Sequence, residues 1–230
     1  MSDLVLLHGA LGAASQLASL QEALAGSGQR CLPFDFSGHG GKPFSDRFGI
    51  ETFAGEVLDF FDQNNIAKAD LFGYSMGGYV ALWLAHQYPD RVGRVVTLAT
   101  KFDWSPEIAA REMKMLDPEK IEAKVPAFAQ MLAARHAPND WKALLRKTAE
   151  MMEALGNHNL LGVNVLVKIA HPALICLGDG DNMITLEETR RAAEALPNGR
   201  LQIFGDTPHP FEKVDIGNLA AAISAFLAEV

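Results

Sequence analysis

The chain has 230 residues, 49% of them hydrophobic, with 20 Lys or Arg against 28 Asp or Glu and a formal net charge of −8. That length and apolar content suffice to bury one large core, so a single globular unit is expected. The acidic balance disfavours nucleic acid and anionic membrane as partners, and no segment is long and apolar enough for a signal peptide or a membrane span, which leaves a cytoplasmic address as the expectation.

The first predicted strand, residues 4–7, runs into His8-Gly9-Ala10-Leu11-Gly12. The Ala10 backbone N–H on this loop is a candidate donor to a developing oxyanion, and His8 reads as a side chain that structures the loop. Leu17, Leu20 and Leu24 then mark the inner stripe of a helix. The second strand, 30–36, ends in Asp35 and the turn Gly38-His39-Gly40-Gly41, residues expected to fix that turn rather than to touch a substrate. A further helical stripe follows at Phe53, Val57, Phe60 and Phe61.

Residues 69–72 form the third strand, and Gly73-Tyr74-Ser75-Met76-Gly77 separates it from the helical run 78–88. A serine at a sharp strand-to-helix turn points its hydroxyl away from the backbone, and glycines two before and two after it leave room where β-carbons would clash. The free N–H groups at the start of the helix face the place where an oxyanion would form, so the Met76 amide joins that of Ala10 as the second expected donor. Each would be worth roughly 3 kcal/mol to the transition state. The chemistry these residues suit is acyl transfer with Ser75 as nucleophile.

Such a serine requires an acid and a histidine at the ends of later strands. After the fourth strand (92–99) and the fifth (173–177) comes Gly178-Asp179-Gly180-Asp181. Asp181 is the preferred acid because it stands past Gly180, whereas Asp179 suits a turn-capping role. Asp103, beyond the fourth strand, is a third candidate. The sixth strand, 200–204, leads to His209 between Pro208 and Pro210, whose fixed torsions would hold an imidazole in one place. His209 is the expected general base, with Glu212 orienting its loop or capping the last helix, whose stripe is Ile216, Leu219, Ile223, Phe226 and Leu227.

Between 104 and 168 the alternation of strand and helix stops for about 65 residues, too long for a simple crossover. Helical patterns punctuated by Pro106, Pro118, Pro126 and Pro138 predict a helical lid, with 1–103 and 169–230 as the core. The lid carries nine Lys or Arg against eight Asp or Glu, so the negative charge belongs to the core. Five of the eight methionines fall in it, at Met113, Met115, Met131, Met151 and Met152. Methionine packs around varied apolar groups, though helix-spaced methionines also build a lid's own core. Leu11, Phe102, Trp104, Phe128, Met131 and Met183 are the candidate pocket residues. Cys31 and Cys176 fall on non-adjacent predicted strands and read as reduced core thiols.

Together, His8-Gly9-Ala10-Leu11, Asp35-Phe36-Ser37-Gly38-His39-Gly40, Gly73-Tyr74-Ser75-Met76-Gly77-Gly78, Gly178-Asp179-Gly180-Asp181 and His209 resemble the α/β-hydrolase superfamily over almost the whole chain, and within it the lid-bearing, cofactor-free serine hydrolases. The resemblance implies an α/β three-layer sandwich, a catalytic triad of Ser75, Asp181 and His209, and oxyanion donors at Ala10 and Met76. It also implies no cofactor and no metal. A serine at position 75 argues against the dehalogenase branch, which uses aspartate there. Members usually open with two antiparallel strands, whereas here 4–7 comes almost at once. The expected sheet is therefore truncated to six parallel strands in the order 2-1-3-4-5-6, with 30–36 as an edge that a loop or a second copy of the chain must cover. The expected reaction is hydrolysis of a small, largely uncharged ester or thioester, most active at neutral to mildly alkaline pH, where the imidazole base is unprotonated. A slow or non-catalytic ligand receptor, or a cofactor-free perhydrolase, on the same fold are the alternatives.

Overall fold

A computed structural model describes residues 3–26 and 29–229. Six strands, β1 (Asp3–Leu7), β2 (Cys31–Phe34), β3 (Ala69–Tyr74), β4 (Val92–Leu98), β5 (Ala173–Gly178) and β6 (Gly199–Phe204), form one sheet in the order β2-β1-β3-β4-β5-β6. Every neighbouring pair is parallel. The helices are α1 (Ala18–Ala25), α2 (Ile50–Gln63), α3 (Met76–Gln87), α4 (Pro106–Met113), α5 (Pro118–Lys124), α6 (Pro126–His136), α7 (Trp141–Asn157), α8 (Val163–Leu166), α9 (Leu186–Ala195) and α10 (Ile216–Ala228).

A sheet buried on both faces needs strands that are apolar throughout, and β1 shows how the alternation is used. Val5 and Leu7 point into one core, shared with Phe53 and Val57 of α2 and Val80 and Leu84 of α3. Leu4 and Leu6 point into the other, shared with Leu20 and Leu24 of α1 and Leu219 and Ile223 of α10. The result is three layers, with the strand order reversing between β1 and β3. Sheets of this kind open a crevice beyond the carboxyl ends of the strands at that reversal, and both His8-Gly9-Ala10 and Ser75 lie there.

β2 is at the sheet edge and is shorter than the expected 30–36, because Asp35 and Phe36 spend their groups elsewhere. The Phe36 N–H donates to Nε2 of His8 at 3.3 Å, and Asp35 Oδ1 accepts the Ala14 N–H at 2.7 Å. Pro33, which lacks an N–H, removes one donor from this edge.

The insertion between β4 and β5 consists of α4 to α8. Pro106, Pro118 and Pro126 each open a helix, where the missing N–H costs nothing. The side chains of Ser105, Asp117 and Asp140 cap α4, α5 and α7. Ile121, Ala129, Leu132 and Leu145 form the insertion's own small core. Among the described residues no helix is long and apolar enough to cross a membrane.

Candidate active site

Ser75 joins β3 directly to α3 with φ 51° and ψ −115°, a left-handed conformation that costs a non-glycine residue of order 1–3 kcal/mol. Its surroundings hold it there. The Ser75 N–H donates to the Leu98 carbonyl at 2.8 Å, and Thr100 Oγ1 donates to the Ser75 carbonyl at 3.0 Å. The flanking glycines are required by close approach: a β-carbon on Gly73 would lie 2.3 Å from the Gly77 backbone, and one on Gly77 2.3 Å from the Leu7 carbonyl oxygen. The strand, the turn and the helix therefore pack backbone to backbone and present the hydroxyl at the crevice.

The Asp181 carboxylate is buried, with 1% side-chain exposure, and its Oδ2 lies 2.7 Å from Nδ1 of His209. Its Oδ1 accepts the N–H groups of Met183 and Ile184 at 2.8 and 3.0 Å. Burial by itself would raise the Asp181 pKa, but the hydrogen bond and charge of His209, followed by the two amides, outweigh it and hold the carboxyl below its ordinary value. An ionised carboxylate on Nδ1 leaves Nε2 as the ring position free to accept a proton. The His209 loop is fixed from below by Tyr74, whose hydroxyl donates to the His209 carbonyl at 2.8 Å.

The other two carboxylates weighed as the acid lie elsewhere. Asp179 is exposed, and Asp103 is paired on the surface with Arg191. His8 is fully buried, its ring between the Gly9 carbonyl and the Phe36 N–H, so it structures the loop and does not face solvent. Glu212 accepts hydrogen bonds from Gln16 and Arg135, while α10 is capped by Asp215.

Ser75, Met76, Ala10 and His209 share one cavity of about 540 Å³, counted to its mouth. The Ala10 and Met76 N–H groups have no partner among the described residues. Trp104 and Met183 line the cavity, as do Ile50, Tyr79, Met151, Met152, Leu155 and Ile184, so its wall is overwhelmingly apolar.

Four of the expected pocket residues do not line it. Phe102 turns into the core between the sheet and α2 and α3, at 4% exposure. Phe128 faces outward at 39% exposure, and Leu11 and Met131 pack on the insertion's own core. Aromatic and methionine content does not reveal which way a helix is turned, and here α7 rather than α6 supplies the wall.

Lys101 and Glu112 also line the cavity, and sequence reasoning missed both. Their charged ends are 3.6 Å apart, nearly buried, and Lys101 Nζ also donates to the Met183 carbonyl at 3.2 Å. The available signal was a charge on an inner helical stripe: Glu112 stands three residues after Ala109, and both are buried. Glu112 Oε1 also accepts from Arg111 Nη2 at 3.2 Å, so both charged side chains on the wall are paired. Among the described residues no group of three His, Cys, Asp or Glu is placed to hold a metal ion.

A family model described as alpha/beta hydrolase fold matches residues 4–143. An sn-1-specific diacylglycerol lipase ABHD11 from Danio rerio is 33% identical over 110 residues, which are 47% of this chain and only 33% of that protein. The matched region thus spans about a third of the lipase. A 2-hydroxymuconate semialdehyde hydrolase from Pseudomonas sp. (strain CF600) is 24% identical over 214 residues, covering 84% of this chain and 73% of that one. Among solved structures, the enol-lactonase from Burkholderia xenovorans LB400 superposes with a TM-score of 0.80 at 24% identity, over 99% of this chain and 92% of the other.

Proposed function

The chain belongs to the alpha/beta hydrolase fold family, and from that premise we propose that it is a serine hydrolase that cleaves a small, largely uncharged ester or thioester through an acyl-enzyme on Ser75. One observation carries the reading: a serine in a strained left-handed turn shares a cavity with a histidine whose far nitrogen is bound at 2.7 Å to a buried carboxylate.

In the proposed reaction Nε2 of His209 takes the proton of Ser75 as Oγ adds to the carbonyl carbon. The Ala10 and Met76 N–H groups, without partners among the described residues, bind the resulting oxyanion. His209 then gives its proton to the departing alkoxide or thiolate, which leaves as alcohol or thiol. Water attacks the acyl-Ser75 ester with His209 again as base, and the acid leaves. Asp181 keeps the ring in one orientation and stabilises its charged form.

The apolar wall and the pairing of Lys101 and Arg111 with Glu112 support an uncharged substrate with an apolar group. Glu112 of α4 and Met151, Met152 and Leu155 of α7 bring the insertion over Ser75, and in this reading residues 104–168 act as a lid that excludes water.

The test is steady-state hydrolysis of p-nitrophenyl esters with two to twelve acyl carbons, by the wild type and Ser75→Ala in parallel. Turnover by the wild type and its loss by about six orders of magnitude in the variant are expected. Equal rates for the two proteins would overturn the reading.

A further inference from the structure

His136 is the last residue of α6 in the insertion and fully buried, and its ring bonds groups about a hundred or more residues away. Its Nε2 donates to the Leu11 carbonyl at 3.0 Å, and its Nδ1 accepts the Gly40 N–H at 3.2 Å. One ring therefore bonds the loop that carries Ala10 and, through Gly40, the turn after β2. Arg135 adds a second donor to the same Leu11 oxygen, from Nη1 at 3.1 Å, while its Nη2 reaches Glu212 Oε1 at 3.1 Å. Glu212 follows His209 by three residues, so this one pair of side chains ties the Ala10 loop to the His209 loop.

Leu11 is where such an anchor has something to hold. Gly9-Ala10-Leu11-Gly12 is a tight turn closed by the Gly12 N–H on the Gly9 carbonyl at 3.0 Å, and Leu11, its third residue, has φ 59°. Glycine or asparagine is the usual occupant of that conformation, which strains a leucine. Two donors converge on the Leu11 carbonyl and offset that strain, and its side chain is seated on the insertion's small core. The turn that aims the Ala10 N–H thus takes its shape from the insertion as well as from the sheet.

We infer that His136, assisted by Arg135, is a positioning residue that sets the Ala10 amide of the oxyanion site, so that seating the insertion and completing that site are one event. This rests on the serine-hydrolase reading of the same site. The ring must be neutral to accept from Gly40 while donating to Leu11. Burial, together with the Arg135 charge, lowers its pKa to about 4 against the opposing bond to Leu11, so it is neutral at ordinary pH.

The experiment compares wild type, His136→Ala, His136→Gln and Arg135→Ala. Three quantities are read: kcat and KM on p-nitrophenyl butyrate, the thermal midpoint, and backbone hydrogen exchange over residues 8–13. His136→Ala should lower kcat about 10- to 100-fold, with KM changing less than about threefold, since a displaced donor weakens the transition state more than the ground state. Exchange over 8–13 should quicken. His136→Gln, which keeps an N–H for Leu11, should recover most of both. Arg135→Ala, at a partly exposed position, should show the same changes more weakly and serves if His136→Ala does not fold.

Wild-type kcat and wild-type exchange in a folded His136→Ala or Arg135→Ala protein would overturn the inference, as would a change confined to KM. If the wild type cleaves no ester, the hydrolase reading fails by itself. Exchange over 8–13 needs no turnover and still decides whether the anchor exists.

Discussion

Nδ1 of His209 sits 2.7 Å from Oδ2 of Asp181, and the opposite oxygen of that carboxylate is taken by the Met183 and Ile184 amides. Both oxygens are thereby committed, so the carboxylate cannot rotate away from the ring. Asp181→Asn keeps the size of the side chain but puts an amide where the ring N–H needs an acceptor. Its kcat should fall about 10⁴-fold. Asp179→Asn, at an exposed position, should stay within a few fold of wild type. Steady-state rates of the two variants side by side check the assignment of the acid.

Tyr74 links the strand that ends at Ser75 to the loop that carries His209, through its hydroxyl on the His209 carbonyl. Tyr74→Phe should cost about 1 kcal/mol of stability, the net worth of a typical hydrogen bond. It should also lower kcat several-fold while leaving KM nearly unchanged, because the ring loses an anchor and the cavity wall does not change. Urea unfolding and initial rates on one ester measure the two effects.

Gly73→Ala should be far more damaging to folding than its size suggests. The added methyl would lie 2.3 Å from the Gly77 backbone carbon and from the Gly78 nitrogen, and no side chain can move aside to relieve it. The loss should be about 2 kcal/mol or more, which for a chain of this length lowers the thermal midpoint by at least about 4 °C. A midpoint unchanged within about 1 °C would contradict the backbone-to-backbone packing.

Three buried imidazoles cluster beside the Ala10 loop, tilted or edge-on to one another, with ring centroids 4.9 Å apart for His8 and His39 and 5.7 Å for His39 and His136. Burial is the leading cause that lowers all three pKa values, to about 3 for His8, to about 4 for His136 and well below the ordinary value for His39. The folded protein keeps these rings neutral where the unfolded chain would protonate them, below about pH 6.5. Their contribution is fully present above that pH and is lost as pH falls from about 6.5 toward 4, at up to roughly 1.4 kcal/mol per pH unit for each ring. The urea midpoint should therefore drop between pH 7.5 and 5, and His136→Gln should shrink that drop.

The parts of this protein set by local chain chemistry are legible in the amino-acid sequence alone. Strand runs such as 4–7 and 173–177 are apolar without a break because both faces are buried, and this pattern survives whatever packs on it. Ser75 can be read because the clash that demands Gly73 lies within five residues, at Gly77 and Gly78, although the one that demands Gly77 comes from Leu7 on the neighbouring strand. Asp181 and His209 follow from the ends of consecutive strands, although only the fold brings residues 28 apart within 2.7 Å and leaves Asp179 in solvent.

The tertiary structure alone decided the wall of the cavity and the anchor on Leu11. Helical periodicity says that one face of α6 or α7 is buried but not against what, so by sequence Phe128 and Met131 suit the pocket as well as Met151 and Met152 do. Which face meets the cavity depends on how five short helices pack on one another and on the sheet, a question of shape complementarity over many side chains. The Lys101–Glu112 pair and the His136–Leu11 bond join residues 11 and 125 positions apart. The second forms only when the insertion has closed on the Ala10 loop and no local pattern encodes it, while for the first the only local trace is a charge on the inner stripe of α4.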